Sequence, residues 1–198
     1  PIEKANESKG KEDILQKVQK SKNSPAKELL DISLDAEEYT VTFVANGQTV
    51  TRKALFDWSK EDNERIRYYS GTAIYKTTFP WKYKEQKDRQ VYLHLGTVYN
   101  LATVRVNGID CGTVWTAPYR ADITAALKKG TNELEIEVTN TWANALKGTD
   151  EGKAPFEGIW TNAKYRKQEN TLLPGGLLGP LYFCLLYTSD AADEGLGV

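Results

Sequence analysis

The chain has 198 residues, with 26 Lys and Arg against 27 Asp and Glu, one His and two Cys. A formal net charge of −1 with both signs interspersed excludes the basic stripe that nucleic-acid binding needs, and no apolar run approaches the roughly 20 residues of a membrane span. Two thiols supply neither a disulfide framework nor a zinc site, while the length suffices for one domain with flanking segments.

Residues 1–25 are rich in Lys, Glu, Ser and Asn, and Ile14, Leu15 and Val18 offer one face of a short helix that Ser24-Pro25 ends. Residues 1–37 therefore read as a linker or the tail of a preceding domain. The start lacks an apolar signal core and the whole chain lacks Met, so it reads as an internal piece of a longer protein. From Glu38 the pattern changes. EEYTVTF alternates and QTVTR returns, and Asn46-Gly47 between them predicts a hairpin turn with positive φ at both positions. LFDWSKEDNERIRYYSG is polar and irregular, and TAIYKTTF is a strand closed by Pro80.

QVYLHLG and LATVRV continue the series. His94 falls on the face opposite Val91, Leu93 and Leu95, without the partners a general base requires, and reads as structural. Asn107-Gly108 predicts a type I′ turn into IDCGTVW, where Cys111 reads as a small core residue. ADITAALKKG predicts one or two helical turns, capped by Asp122 or Thr124 and left through Gly130. In TNELEIEVTN, Leu134, Ile136 and Val138 point one way while Glu133, Glu135 and Glu137 point the other, the period of a half-buried strand. Between Trp142 and Asn170 the pattern dissolves into a polar loop, and LLPGGLLGPLYF reads as a turn and a final strand. The remainder, CLLYTSDAADEGLGV, breaks the pattern, so residues 184–198 read as a non-native extension or a disordered tail that takes Cys184 with it.

Short strands, frequent turn signals and one brief helical turn predict an all-β fold over residues 38–183, an antiparallel β-sandwich. A doubly wound sheet is excluded because no repeated helices could cover it.

Four motifs carry a family resemblance. Tyr69-Ser-Gly-Thr-Ala-Ile-Tyr-Lys-Thr-Thr-Phe79 resembles the Y-S-G-x-A-x-Y-x-x-x-F strand of the galactose-binding-like, sugar-binding sandwich of glycoside hydrolase family 2. Ala102-Thr-Val-Arg-Val-Asn-Gly108 resembles its A-x-V-x-V-N-G hairpin. Residues 119–134 resemble its P-Y-x-x-D-I-T-x-x-L-K-x-G-x-N-x-L signature. VTNTWANALKGTD and LLPGGLLGP are similar to the closing segments of family 106-type, rhamnosidase-like enzymes. Most of these residues suit folding roles: Gly71 and Gly108 for turns, Asn107 for a left-handed position, Asp122 as an anionic cap, Asn132 to tie the turn after Gly130.

The resemblance implies that the sandwich is of jelly-roll type and is a non-catalytic accessory domain of a larger bacterial glycoside hydrolase, packed on the catalytic domain of a periplasmic or extracellular parent. Hydrolysis needs two carboxyl groups roughly 5 to 10 Å apart across a cleft. The acids in irregular segments, Asp57, Asp62, Glu64, Asp150, Glu151 and Glu157, carry no such signal, so no catalytic residue is assigned. A sugar site pairs an aromatic platform with amides and carboxylates, which makes Trp115, Tyr119, Trp142, Asn144, Asp150, Trp160 and Tyr165 the carbohydrate-binding candidates. Trp58, Trp115 and Trp142 also suit packing between sheet and loop, whereas Trp160 and Tyr165 are the candidates for exposure. No cofactor is expected. Resembling sandwiches carry a structural calcium, but the acidic runs Asp35 to Glu38 and Glu61 to Glu64 lack the ligand spacing of a dedicated site. An autonomous carbohydrate-binding module and a protein-interaction module are the alternative readings.

Overall fold

Alternating inward and outward side chains produce the strands seen in the computed structural model, which describes residues 29–34, 36–83, 89–153, 159–162 and 171–187. In chain order these are β1 (Leu29–Ser33), β2 (Tyr39–Phe43), β3 (Thr49–Arg52), β4 (Thr72–Trp81), β5 (Arg89–His94) and β6 (Thr97–Tyr99). They continue with β7 (Leu101–Val106), β8 (Ile109–Val114), β9 (Arg120–Asp122), β10 (Gly130–Thr139), β11 (Gly176–Gly179) and β12 (Tyr182–Tyr187). A six-stranded sheet runs β3-β2-β4-β10-β7-β8, a four-stranded sheet runs β1-β12-β5-β9, and β11 pairs with β6. All of these pairings are antiparallel.

The core lies between the two larger sheets. Ala73, Tyr75, Phe79 and Trp81 of β4 and Leu134, Ile136 and Val138 of β10 face Val91 and Leu93 of β5 and Phe183 and Leu185 of β12. Phe183 rests on Phe79 and Trp81, with ring centroids 5.0 and 5.2 Å apart, and so joins the layers. At the other end the indole of Trp58 is fully buried, edge-on to Phe43 and Tyr69 at 5.2 and 5.6 Å. Its N–H donates to the Tyr75 hydroxyl at 2.7 Å, which also accepts from the Leu177 amide at 3.2 Å. Burial raises the Tyr75 phenol above its ordinary range.

The shared motifs sit where tight geometry is needed. Asn107 and Gly108 both have positive φ, 52° and 78°, and Val106 faces Ile109, which makes the expected two-residue hairpin. Asn132 is fully buried and ties the turn before β10. Its amide accepts from the Lys128 N–H at 2.9 Å, donates to the carbonyls of Lys128 and Gly130 at 2.8 and 3.0 Å, and receives Asn107 Nδ2 at 2.8 Å. Asp122 accepts from the Thr124 amide at 2.9 Å, but the 3₁₀ turn Thr124–Ala126 has Ile123 at its N-cap position and no side-chain cap, so neither Asp122 nor Thr124 caps it as expected.

Several expectations need correction. Asn46-Gly47 does not form a two-residue turn: among the two only Gly47 has positive φ, and Phe43 closes onto Gln48 across a four-residue loop. The stretch after Trp142 is not simply a loop, because Ala143–Asp150 is a helix. Gly148 lets that helix approach the Tyr68 ring, where a Cβ would collide. The irregular stretch before β4 holds a 3₁₀ turn, Trp58–Lys60, and a helical turn, Glu64–Arg67. The sheet also exceeds its expected limits of 38 and 183. β1 begins at Leu29, and β12 runs to Tyr187 with Cys184 buried opposite Asp31 and Tyr92. Cys184 thus belongs to a strand and not to a tail. The expected helix around Ile14 to Val18 and residues 188–198 lie outside the described residues.

Gly96 makes a backbone bridge to Gly179, and a Cβ at Gly96, where φ is +62°, would overlap the Gly179 carbonyl. Backbone cannot yield as a flexible side chain can. Gly96→Ala is expected to cost about 3 kcal/mol, combining overpacking with left-handed strain. Gly108→Ala, with open space around it, should cost only the strain, about 1 kcal/mol. Urea denaturation of the two variants checks the difference.

Candidate functional site

Strand register brings two exposed tryptophans to one end of the six-stranded sheet. Trp115 follows β8 directly and Trp142 lies three residues past β10, while β7 starts between them with Leu101 opposite Thr139 and Ala102 opposite Val114. Neighbouring strands are about 4.8 Å apart, so the two side chains are rooted on strands about 10 Å apart. Trp115 is 72% and Trp142 60% exposed, contrary to the expectation that both pack between sheet and loop. Trp58 alone of the three is packed. Asn100 is exposed at the start of β7 between them, held through its amide to the Thr139 carbonyl at 2.9 Å. Trp160 is 77% exposed in the short segment 159–162, beside exposed Asn162.

The other candidates divide. Asn144 is buried and its side chain is committed: Nδ2 donates to the Leu173 carbonyl at 2.7 Å and Oδ1 accepts the Leu173 amide at 2.9 Å. It is a clamp on the segment leading to β11. Tyr119 is half-buried against the margin of the core. Asp150 is exposed in the last turn of the helix. Tyr165 lies outside the described residues. Asn140, beside Trp142, is also occupied, with Oδ1 accepting the Gly71 amide at 2.9 Å and Nδ2 donating to the Tyr69 carbonyl at 2.9 Å. The sequence signal, an amide next to an aromatic, does not distinguish an amide that holds a loop from one left free for a ligand.

Four of the acids in the irregular segments have partners within reach. Asp57 accepts from the Ser59 and Gly175 amides at 3.0 and 3.1 Å. Asp62 faces Arg67 at 3.6 Å and Glu64 faces Lys153 at 3.5 Å. Glu151 accepts the Tyr68 hydroxyl at 2.7 Å and faces Lys147 at 3.6 Å. The Tyr68 bond first, then the lysine charges, hold the Glu151 carboxyl below the usual carboxylate range, and the Tyr68 phenol is pushed up to about 12. A general acid of glycoside hydrolysis needs the opposite shift. Glu157 lies outside the described residues. His94 stacks on Tyr182 at 4.6 Å and shares a 3.0 Å hydrogen bond with its hydroxyl, and burial lowers its pKa. Cys111 and Cys184 are free thiols in different sheets. Among the described residues, no group of three or more His, Cys, Asp or Glu converges in a way that could hold a metal.

Residues 48–172 match the family described as glycosyl hydrolase 2 galactose-binding domain-like. The chain belongs to that family. A Formosa agariphila protein, provisionally named a beta-glucuronidase, is 36% identical over 174 residues, covering 74% of this chain and 15% of that protein. The structure of a rhamnosidase from Novosphingobium sp. PP1Y superimposes with a TM-score of 0.71 at 34% identity, covering 80% of this chain and 15% of that one. The FMN-binding beta-glucuronidase from a Faecalibacterium prausnitzii strain shares the fold alone, with a TM-score of 0.53 at 24% identity over 79% of this chain and 22% of that one. This galactose-binding-like chain therefore spans about 15% of the length of the curated relative that it matches. It is an accessory sandwich of the type carried by large glycoside hydrolases, and the comparisons support both halves of the resemblance, to family 2 and to rhamnosidases.

Proposed function

We propose that the chain packs on the catalytic domain of a larger bacterial glycoside hydrolase and presents the Trp115 and Trp142 end of its six-stranded sheet, with Trp160, to carbohydrate at the substrate cleft. The observation that carries this reading is the exposure of three indoles, 72%, 60% and 77%, in a fold whose other large aromatics are mostly buried. Flat indole faces stack on the C–H faces of sugar rings, and exposed Asn100, Thr141 and Asn162 supply hydrogen-bonding groups beside them. The matched relatives named as glycosidases favour a periplasmic or extracellular parent. Catalysis is assigned to a separate domain, because the chain spans only 15% of the length of the curated relative that it matches.

A glycan array followed by isothermal titration tests the carbohydrate part. Trp115→Ala and Trp160→Ala are each expected to weaken binding about tenfold, the effect of a lost stacking platform. Their unfolding free energies should stay within about 0.5 kcal/mol of the parent chain, as exposed substitutions do. Binding that survives both changes would place the sugar elsewhere. Failure of the chain to bind any glycan on its own would remove the autonomous-module reading and leave the packing role.

A further inference from the structure

A groove of about 810 Å³ crosses the outer face of the six-stranded sheet, near the strand ends opposite those that carry Trp115 and Trp142. Register places Thr40, Lys76, Glu135 and Arg105 side by side on β2, β4, β10 and β7. At about 4.8 Å per strand this row is about 14 Å long. Thr78 and Glu133 face each other one row further on. The row is held in place by its own ion pairs: Lys76 Nζ lies 3.0 Å from Glu135 Oε2, Arg105 Nη1 lies 3.1 Å from Glu135 Oε1, and Arg105 Nη1 also meets Glu137. Thr77 Oγ1 donates to the Glu38 carbonyl at 2.7 Å, which fixes the segment walling one side.

We propose that this groove is a second carbohydrate site, taking a neutral saccharide chain and independent of the tryptophan end. Hydroxyl, ammonium, carboxylate and guanidinium follow one another along the row. Sugar hydroxyls both donate and accept, and they suit a surface on which fixed donors and acceptors alternate. These groups retain capacity after pairing: only Nη1 of Arg105 is engaged in its ion pairs, and each carboxylate oxygen offers more than one lone pair. Glu37, Glu38, Glu133 and Glu135 outnumber Lys76 and Arg105 in the lining, so an acidic saccharide meets net repulsion. A protein partner fits less well, because interface centres are depleted of Lys and Glu, and Glu37, Glu38, Lys76, Glu133 and Glu135 all line this groove.

The test is amide NMR on the whole chain, titrated with cellotriose, xylotriose and mannotriose and, in parallel, with trigalacturonate. Expected are saturable shifts at Thr40, Lys76, Thr78, Glu133 and Glu135 with a neutral trisaccharide and none there with trigalacturonate. Glu133→Ala and Thr78→Ala should each weaken that binding about fivefold, the share of one or two hydrogen bonds, while Trp115→Ala leaves it unchanged. Shifts confined to the tryptophan end, no shift at the groove with any neutral trisaccharide, or equal binding of trigalacturonate would overturn the proposal.

Discussion

Trp58→Ala is expected to lower the unfolding free energy by about 4 kcal/mol, within the range for deleting a buried aromatic side chain. Three losses combine. The indole fills the space between Phe43 and Tyr69, and its removal leaves a cavity whose walls belong to sheet strands that cannot easily collapse. The Tyr75 hydroxyl loses the N–H that donates to it at 2.7 Å. Gly175 and Gly176 lose the surface on which they lie, since a Cβ on Gly176 would strike the indole ring itself. Gly175 and Gly176 thus rest on Trp58, next to the pairing of Gly176, Leu177 and Gly179 with β6. Chemical denaturation measures the loss, and Trp160→Ala is the matched control, changing stability by no more than about 0.5 kcal/mol. A cost below about 1 kcal/mol for Trp58→Ala would mean that the indole does not support this end of the core.

Asn132→Ala should cost about 3 kcal/mol, because it strands the amide and carbonyl of Lys128, the carbonyl of Gly130 and one donor of Asn107. Asn107→Gly keeps the positive φ of the hairpin and removes only the side chain, so about 1 to 2 kcal/mol is expected from its bonds to the Ala126 carbonyl, the Glu133 amide and Asn132. The two residues share one hydrogen bond, and the double variant should therefore cost less than the sum of the singles. Strict additivity in that cycle would separate two motifs that the structure joins: the Asn-Gly hairpin and the Gly-x-Asn turn.

The sheets were legible because their pattern is local. β10 alternates Glu and apolar residues with no interruption, and β4 and β7 nearly do the same. What escaped depends on partners far along the chain. Asn46-Gly47 and Asn107-Gly108 are the same dipeptide, yet only the second forms a two-residue turn, since Phe43 closes onto Gln48 and lengthens the first loop. The helix Ala143–Asp150 carries Gly148 and an inward Asn144, both poor helix signals, and each has a distant reason: Gly148 fits against Tyr68 and Asn144 clamps Leu173. Trp58, Trp115 and Trp142 look alike in sequence. Their opposite burial follows from the Gly175-Gly176 segment covering Trp58, while Trp115 and Trp142 project beyond strand ends. For the same reason Asn144 read as a sugar ligand when its hydrogen bonds are already spent on the backbone. The polar groove left no linear trace, because its row is assembled from four strands at one level.

The first and last strands are neighbours, with Leu29 opposite Leu186 in an antiparallel ladder. The two ends of the described sandwich therefore lie side by side, a doorway one strand spacing or about 4.8 Å wide. A module with that doorway can be spliced into a long chain without pushing the flanking parts away from each other, and it can be rewired by joining its ends and opening a tip elsewhere. The loop Val44–Gly47, a hairpin tip exposed at Val44, Ala45 and Gly47, is a natural place for such a new opening.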